Sequence, residues 1–195
     1  MTLSENQIFD IFLKTKALLT GHFLLTSGRH SDKYFQCAKV LQYPHYTEQI
    51  CSVLSNFFKY HQVDTIISPA MGGILVGYEV ARQLGKKSLF TEREDNKMIL
   101  RRGFNLDNGE KVLVCEDVIT TGGSVFEVID LVKSFNAEIV GIASILDRTN
   151  GNIKFDYPFK SALKLEVVSY SPEECPICKE NKIPLIKPGS RKVFK

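Results

Sequence analysis

The stretch KVLVCEDVITTGGSVFEVIDLVKSF, residues 111–135, restricts the fold more than any other part of the chain. An apolar run meets two acids, Glu116 and Asp117, then Val118 and Ile119, then Thr120, Thr121, Gly122, Gly123 and Ser124. After Ser124 an apolar period of three to four residues begins. That order reads as a strand, a glycine-rich turn and a helix N-terminus. The same alternation surrounds it: VDTIIS, GILVGYEVARQLG, KVLVCED, SVFEVIDLVKSF and EIVGIASIL. Strands that are apolar almost throughout and separated by helices point to an α/β fold, a parallel sheet covered on both faces.

A turn of this kind holds anions. Amides at a helix start and the helix dipole favour negative charge, and glycines let the backbone approach it closely. The threonine and serine hydroxyls of residues 120–124 add donors. Neither GxxxxGK[ST] nor a GxGxxG following a strand occurs, which sets aside the nucleotide loops those patterns mark. Two carboxylates beside a simple phosphate hole would be unfavourable; they make sense if the ligand also presents hydroxyls or a magnesium ion. The plainer reading of the turn alone is a tight strand–helix connection with a capping Ser or Thr and two solvated acids.

The chain has 195 residues, enough for one domain with a substantial core. With 25 basic and 22 acidic residues the net charge is only +3, which gives no argument for nucleic acid. No apolar run approaches the ~20 residues of a membrane span. The N-terminus lacks the order of a signal peptide and reads as an amphipathic helix over residues 4–19, with Ser4 as cap and Ile8, Phe12 and Leu19 turned inward. A second helical pattern covers residues 46–60, and LKLEVVSY offers a late strand. Five scattered cysteines imply a reducing compartment and a cytoplasmic protein. Residues 91–109 are charged and break the alternation, as a functional lid would. The tail, with four prolines, reads as an extended appendage.

The block VLVCEDVITTGGS resembles the phosphoribosyl diphosphate signature of the type I phosphoribosyltransferases. The resemblance implies a parallel-sheet core over residues 63–170, an N-terminal hood over 1–62 that covers the base, a flexible charged loop and a tail over 171–195. It also implies that Glu116 and Asp117 bind the ribose hydroxyls. Val118, Ile119, Thr120, Thr121, Gly122, Gly123 and Ser124 would enclose the 5-phosphate, and Gly72 and Gly73 of SPAMGGILVG the diphosphate. Magnesium is the expected cofactor and a homodimer the expected assembly.

Two further stretches are similar to the orotate-specific branch. FLLTSGRHSDKYFQ matches its base-covering segment, with Tyr34 and Phe35 as the aromatic pair, and SILDR places Arg148 directly after a strand. An arginine fork suits a carboxylate, which orotate carries. With Thr120 these residues make the expected orotate contacts. Better-known orotate enzymes have lysines where this chain has Thr26 and Gly72. In the charged loop, Lys97 and Arg93 are the candidates for the family's catalytic cation, with Arg101 and Arg102 behind them. The expected reaction joins orotate to phosphoribosyl diphosphate in pyrimidine synthesis. A phosphoribosyltransferase for a purine or other base, or a non-catalytic sensor of the same sugar diphosphate, shares the cradle without needing the SGRHS segment or Arg148.

Cys175 and Cys178 form CPIC, spaced as zinc ligands or a redox pair. One CxxC is half a structural zinc site. Completion by Cys37, Cys51, Cys115, His22, His30, His45 or His61 requires the chain to fold back, and sharing across a dimer is the other route. The sequence reading is of inert thiols in a tail, with no metal ligand assigned.

Overall fold

The computed structural model describes residues 2–25, 27–95 and 97–188. The chain opens with α1 (Glu5–Lys14), where Ser4 and Gln7 form a reciprocal capping box. Such a cap contributes about 1 kcal/mol. Ile8, Ile11 and Phe12 face the core, but the helix stops at Thr15, so Leu19 lies outside it. Its end is marked by the Thr15 hydroxyl turning back to the Ile11 carbonyl, and Lys16 then adopts a positive φ. Leu19 belongs instead to β1 (Leu18–Leu24), which pairs antiparallel with β2 (His30–Phe35). The polar N-terminal segment is therefore a separate two-stranded hairpin.

Two helices follow, α2 (Ala38–Leu41) and α3 (Pro44–Phe58), the second begun by a proline in its first turn. The main sheet then forms from β3 (Thr65–Pro69), α4 (Gly72–Leu84), β4 (Lys87–Glu94), β5 (Lys97–Leu100), β6 (Lys111–Ile119), α5 (Gly123–Ser134), β7 (Glu138–Asp147) and β8 (Phe159–Lys164). Its order is β5-β4-β3-β6-β7-β8, and every neighbouring pair is parallel except β4 with β5. Successive residues divide between two cores: Ile66, Leu113 and Cys115 lie with α1, α3 and α4, whereas Ile67, Val112 and Val114 lie with α5. This is the period-two alternation of a sheet buried on both faces.

The topology fixes where a ligand sits. From β3 the chain steps through α4 to β4 on one side; from β6 it steps through α5 to β7 on the other. The order reverses between β3 and β6, and the loops leaving these two strands flank one crevice at their carboxyl ends.

Two expectations change. Residues 91–94 and 97–100 of the charged segment extend β4 and form β5, paired from Thr91↔Leu100 to Glu94↔Lys97, so much of that segment is a hairpin. Short apolar content hid this strand: Met98 alone is buried within it. The tail is also not an appendage. It forms α6 (Pro176–Glu180) and then runs beside the hairpin, where the Ile186 amide donates to the His22 carbonyl and the Leu24 amide donates to the Ile186 carbonyl. The late strand LKLEVVSY continues β8 only to Lys164 and is irregular beyond, save a bridge between Tyr170 and His30. Among the described residues, no helix is long and apolar enough to cross a membrane.

Candidate active site

Strand β6 carries the apolar run into the crevice and ends at Ile119, with Glu116 buried and Asp117 half-buried. Their carboxylates are steadied by backbone amides: Asp117 N–H donates to Glu116 Oε1 at 3.0 Å and Val118 N–H to Asp117 Oδ1 at 2.9 Å. Burial raises the Asp117 carboxyl above the usual carboxylate range, opposed by the Glu116 side chain and these amide bonds. Charge is thus held there at a cost that a cation or hydroxyl ligand would relieve.

Thr120, Thr121 and Gly123 are exposed at the crevice, and Gly122 caps α5 in the left-handed conformation, φ 72°. A side chain there would be strained and would also meet the Phe126 ring. The N-cap residue of α5, Gly122, has no side chain to offer the first turn, and a glycine helix start of this kind favours an anion.

The loop after β3 lies opposite. A cis peptide joins Ala70 to Met71, and α4 begins at Gly72. A Cβ on Gly72 would overlap the Asp117 carboxylate, and one on Gly73 would lie 3.1 Å from Glu116 Oε1. The two glycines therefore pack directly on the two acids.

On the other side of β6, β7 runs parallel with Ile119 opposite Asp147. Thr120 and Arg148 are the next residues of adjacent strands, and the Arg148 amide donates to the Ile119 carbonyl at 2.9 Å. Asp147 accepts from the Thr149 amide, which closes the turn that aims Arg148. The guanidinium stands 5.7 Å from the centre of the Phe35 ring, and its Nε is buried with no hydrogen-bond partner among the described residues. Burial pulls the Arg148 pKa down. Tyr34, whose phenol is pushed up by burial and pulled back by Arg148, packs on Phe23 with centroids 5.8 Å apart. Tyr34, Phe35, Arg148 and Asp117 thus converge. Cys37 joins them: its thiol approaches the Asp117 carbonyl at 3.8 Å, and burial holds it protonated. Nothing in the sequence signalled Cys37, because a lone buried cysteine has no periodic or spacing signature.

The family model described as "Phosphoribosyl transferase domain" matches residues 41–176. A protein named orotate phosphoribosyltransferase from Desulforamulus reducens is 56% identical over 191 residues, covering 98% of this chain and all of that one. Its namesake from Caldanaerobacter subterraneus is 54% identical over 191 residues, with 98% and 100% coverage. This chain belongs to the orotate phosphoribosyltransferase family. Among solved structures, the orotate phosphoribosyltransferase of Aeropyrum pernix shares the fold, with a TM-score of 0.70 at 22% identity over 80% of this chain and 92% of that one.

Against the family pattern, the two lysine departures differ in kind. Thr26 lies outside the described residues. Gly72 is explained by packing, since any side chain there displaces Asp117. Three of the charged-segment candidates sit against acidic partners. Arg93 reaches Glu127 on α5 at 2.7 Å, close but not aligned as a hydrogen bond. Lys97 is exposed beside Met98, Glu127, Asp130 and Ser134 on the flank of α5. Arg101 pairs with Glu94 and Arg102 with Glu92.

Proposed function

We propose that this chain transfers the 5-phosphoribosyl group from 5-phospho-α-D-ribose 1-diphosphate to orotate, giving orotidine 5'-phosphate and diphosphate in pyrimidine synthesis. The observation that carries the reading is Arg148: a desolvated guanidinium with an orphaned Nε–H, set beside an aromatic pair and one strand away from a phosphate cradle. A planar carboxylate-bearing base satisfies that fork, and a purine does not.

In this reading residues 120–124 hold the 5-phosphate, Glu116 and Asp117 the ribose hydroxyls, and the backbone of Gly72 and Gly73 the diphosphate. Thr120, Arg148, Tyr34 and Phe35 hold orotate. The anomeric carbon then lies between base and diphosphate, and displacement builds positive charge on the ribose and negative charge on the leaving group. The carboxylates beside the ribose favour the first; the helix amides and cations favour the second. Deprotonated orotate is itself the nucleophile, so no strong general base is required. The oxygen-rich pair Glu116 and Asp117 fits a hard divalent cation shared with the ligand's own oxygens, and magnesium bound there would neutralise the departing diphosphate.

Lys97 and Arg93 are proposed as the cations that reach the diphosphate. Their place on the outer flank of α5 favours action on a neighbouring chain's site in a homodimer. Closure would exclude the water that otherwise hydrolyses the sugar diphosphate. The protein is proposed to work in the cytoplasm. A panel of bases tests the reading: diphosphate release with orotate but not with adenine or hypoxanthine supports it, and the reverse pattern overturns it.

A further inference from the structure

The folded-back tail meets the hood hairpin at a cluster the reaction does not use. His22 of β1, His30 of β2, Cys175 at the cap of α6 and Cys178 one turn later bring one ligand atom each to within 4.8 Å of the others. His22 Nε2 lies 3.1 Å from His30 Nδ1, 3.4 Å from Cys175 Sγ and 3.6 Å from Cys178 Sγ; Cys178 Sγ lies 3.2 Å from His30 Nδ1. With Zn–N near 2.0 Å and Zn–S near 2.3 Å, a tetrahedral S₂N₂ site has edges of about 3.3–3.8 Å. The cluster has close to those dimensions already.

We propose that these four residues bind a structural zinc ion that staples the tail to the hood. Three independent features support it. The donor set of two thiolates and two imidazoles is one that selects zinc, and it leaves the site neutral. His22, His30 and Cys175 are buried, so the ion would be shielded from water on most sides. The outer contact is also built: His22 Nδ1 is 3.2 Å from the Ile183 carbonyl, which fixes Nδ1 as the donor and leaves the Nε2 lone pair facing the cluster.

The local sequence folds to make this meeting. Pro176 starts a single helical turn that sets Cys175 and Cys178 on one face, and Asn181 ends it in the left-handed conformation. The chain then pairs with β1 through Ile186, two hydrogen bonds from the His22–Leu24 backbone. On the other side the Tyr170 and His30 amides and carbonyls exchange both bonds. The ion would therefore lock one end of a hairpin whose other end carries Tyr34 and Phe35, four and five residues beyond His30 on the same strand. Its role is to hold the hood in register, not to touch substrate.

The test uses the full chain without a histidine tag, purified without chelators and kept reduced. Elemental analysis should find about one zinc per chain, and exchange for cobalt(II) should give the intense visible bands and near-ultraviolet thiolate charge transfer of a tetrahedral sulfur-ligated ion. Cys178→Ser and His30→Asn should each lose the zinc or weaken cobalt binding at least tenfold. Should either variant fail to fold, the cobalt spectrum of the unmodified chain still decides. Protein that arrives metal-free from zinc-replete cells and gives no such spectrum with added cobalt overturns the proposal, as does a Cys175–Cys178 disulfide in its place.

Discussion

Gly72 and Asp117 share one space: the α4 N-terminus lies so close to the strand β6 acid that a methyl group at residue 72 would fall within 2.9 Å of Oδ1 and overlap Oδ2. The turn proposed to hold the diphosphate and the acid proposed to hold the ribose are thereby positioned against each other, although they come from different loops of the sheet. Gly72→Ala must push the Asp117 carboxylate aside, which a side-chain end can do without unfolding the chain. The expected outcome is a Tm within a few degrees of the parent and a fall of at least tenfold in kcat/KM for the sugar diphosphate. Full activity in steady-state kinetics would show that Asp117 does not need this position.

Asp117 itself links stability to pH. Burial raises its carboxyl in the folded chain above the unfolded value, so above the ordinary carboxylate range the folded form binds more protons than the unfolded one. Stability from this group is therefore greatest at low pH and falls as pH rises through its raised value. Asp117→Asn removes that cost, and at neutral pH it should raise Tm, by about 2–4 °C for each ~1 kcal/mol relieved. Thermal melts from pH 4 to pH 8 check it: the gap between variant and parent should widen as pH increases. The same variant combined with Glu116→Gln should lower turnover by about two orders of magnitude or more.

Arg148→Ala removes a fork expected to bind a carboxylate, an interaction whose loss costs about 1.5–3 kcal/mol. The KM for orotate should rise roughly 10- to 100-fold, with the KM for the sugar diphosphate nearly unchanged. Equal effects on both would take Arg148 out of the base pocket. Arg148→Lys should not restore the parent value, because an ammonium has no planar pair of donors.

If Lys97 acts on a neighbouring chain, two inactive variants should complement. Mixed dimers of Lys97→Ala and the Glu116→Gln, Asp117→Asn double variant contain one site with an intact cradle and an intact loop. Co-refolded in equal amounts, they should regain about a quarter of parent activity. No recovery would place the loop's action within its own subunit.

How far the sequence carries can be seen at particular residues. The strand–turn–helix was legible because its parts are contiguous: strand, acids, glycines and helix start occupy residues 111–124, and local chemistry dictates each. Arg148 was singled out by the resemblance of SILDR to the orotate-specific branch, which places it directly after a strand. That it follows a strand adjacent to the one before Thr120 depends on β6 and β7 being neighbours in register, which no local pattern states. The hairpin β4–β5 was missed because half of residues 91–94 and 97–100 are charged and their apolar run MIL is short, so the order comes more from pairing than from burial. The tail was misread for the same reason: its prolines speak against regular structure, while its order comes from contact with His22 and His30 more than 140 residues earlier.

The most direct test is stoichiometric. Purified chain, orotate, phosphoribosyl diphosphate and magnesium are mixed, and orotate absorbance is followed together with diphosphate release. Orotate should be consumed, with one diphosphate appearing for each orotate lost. Diphosphate release with orotate absorbance unchanged would contradict it, because the cradle would then be serving another acceptor.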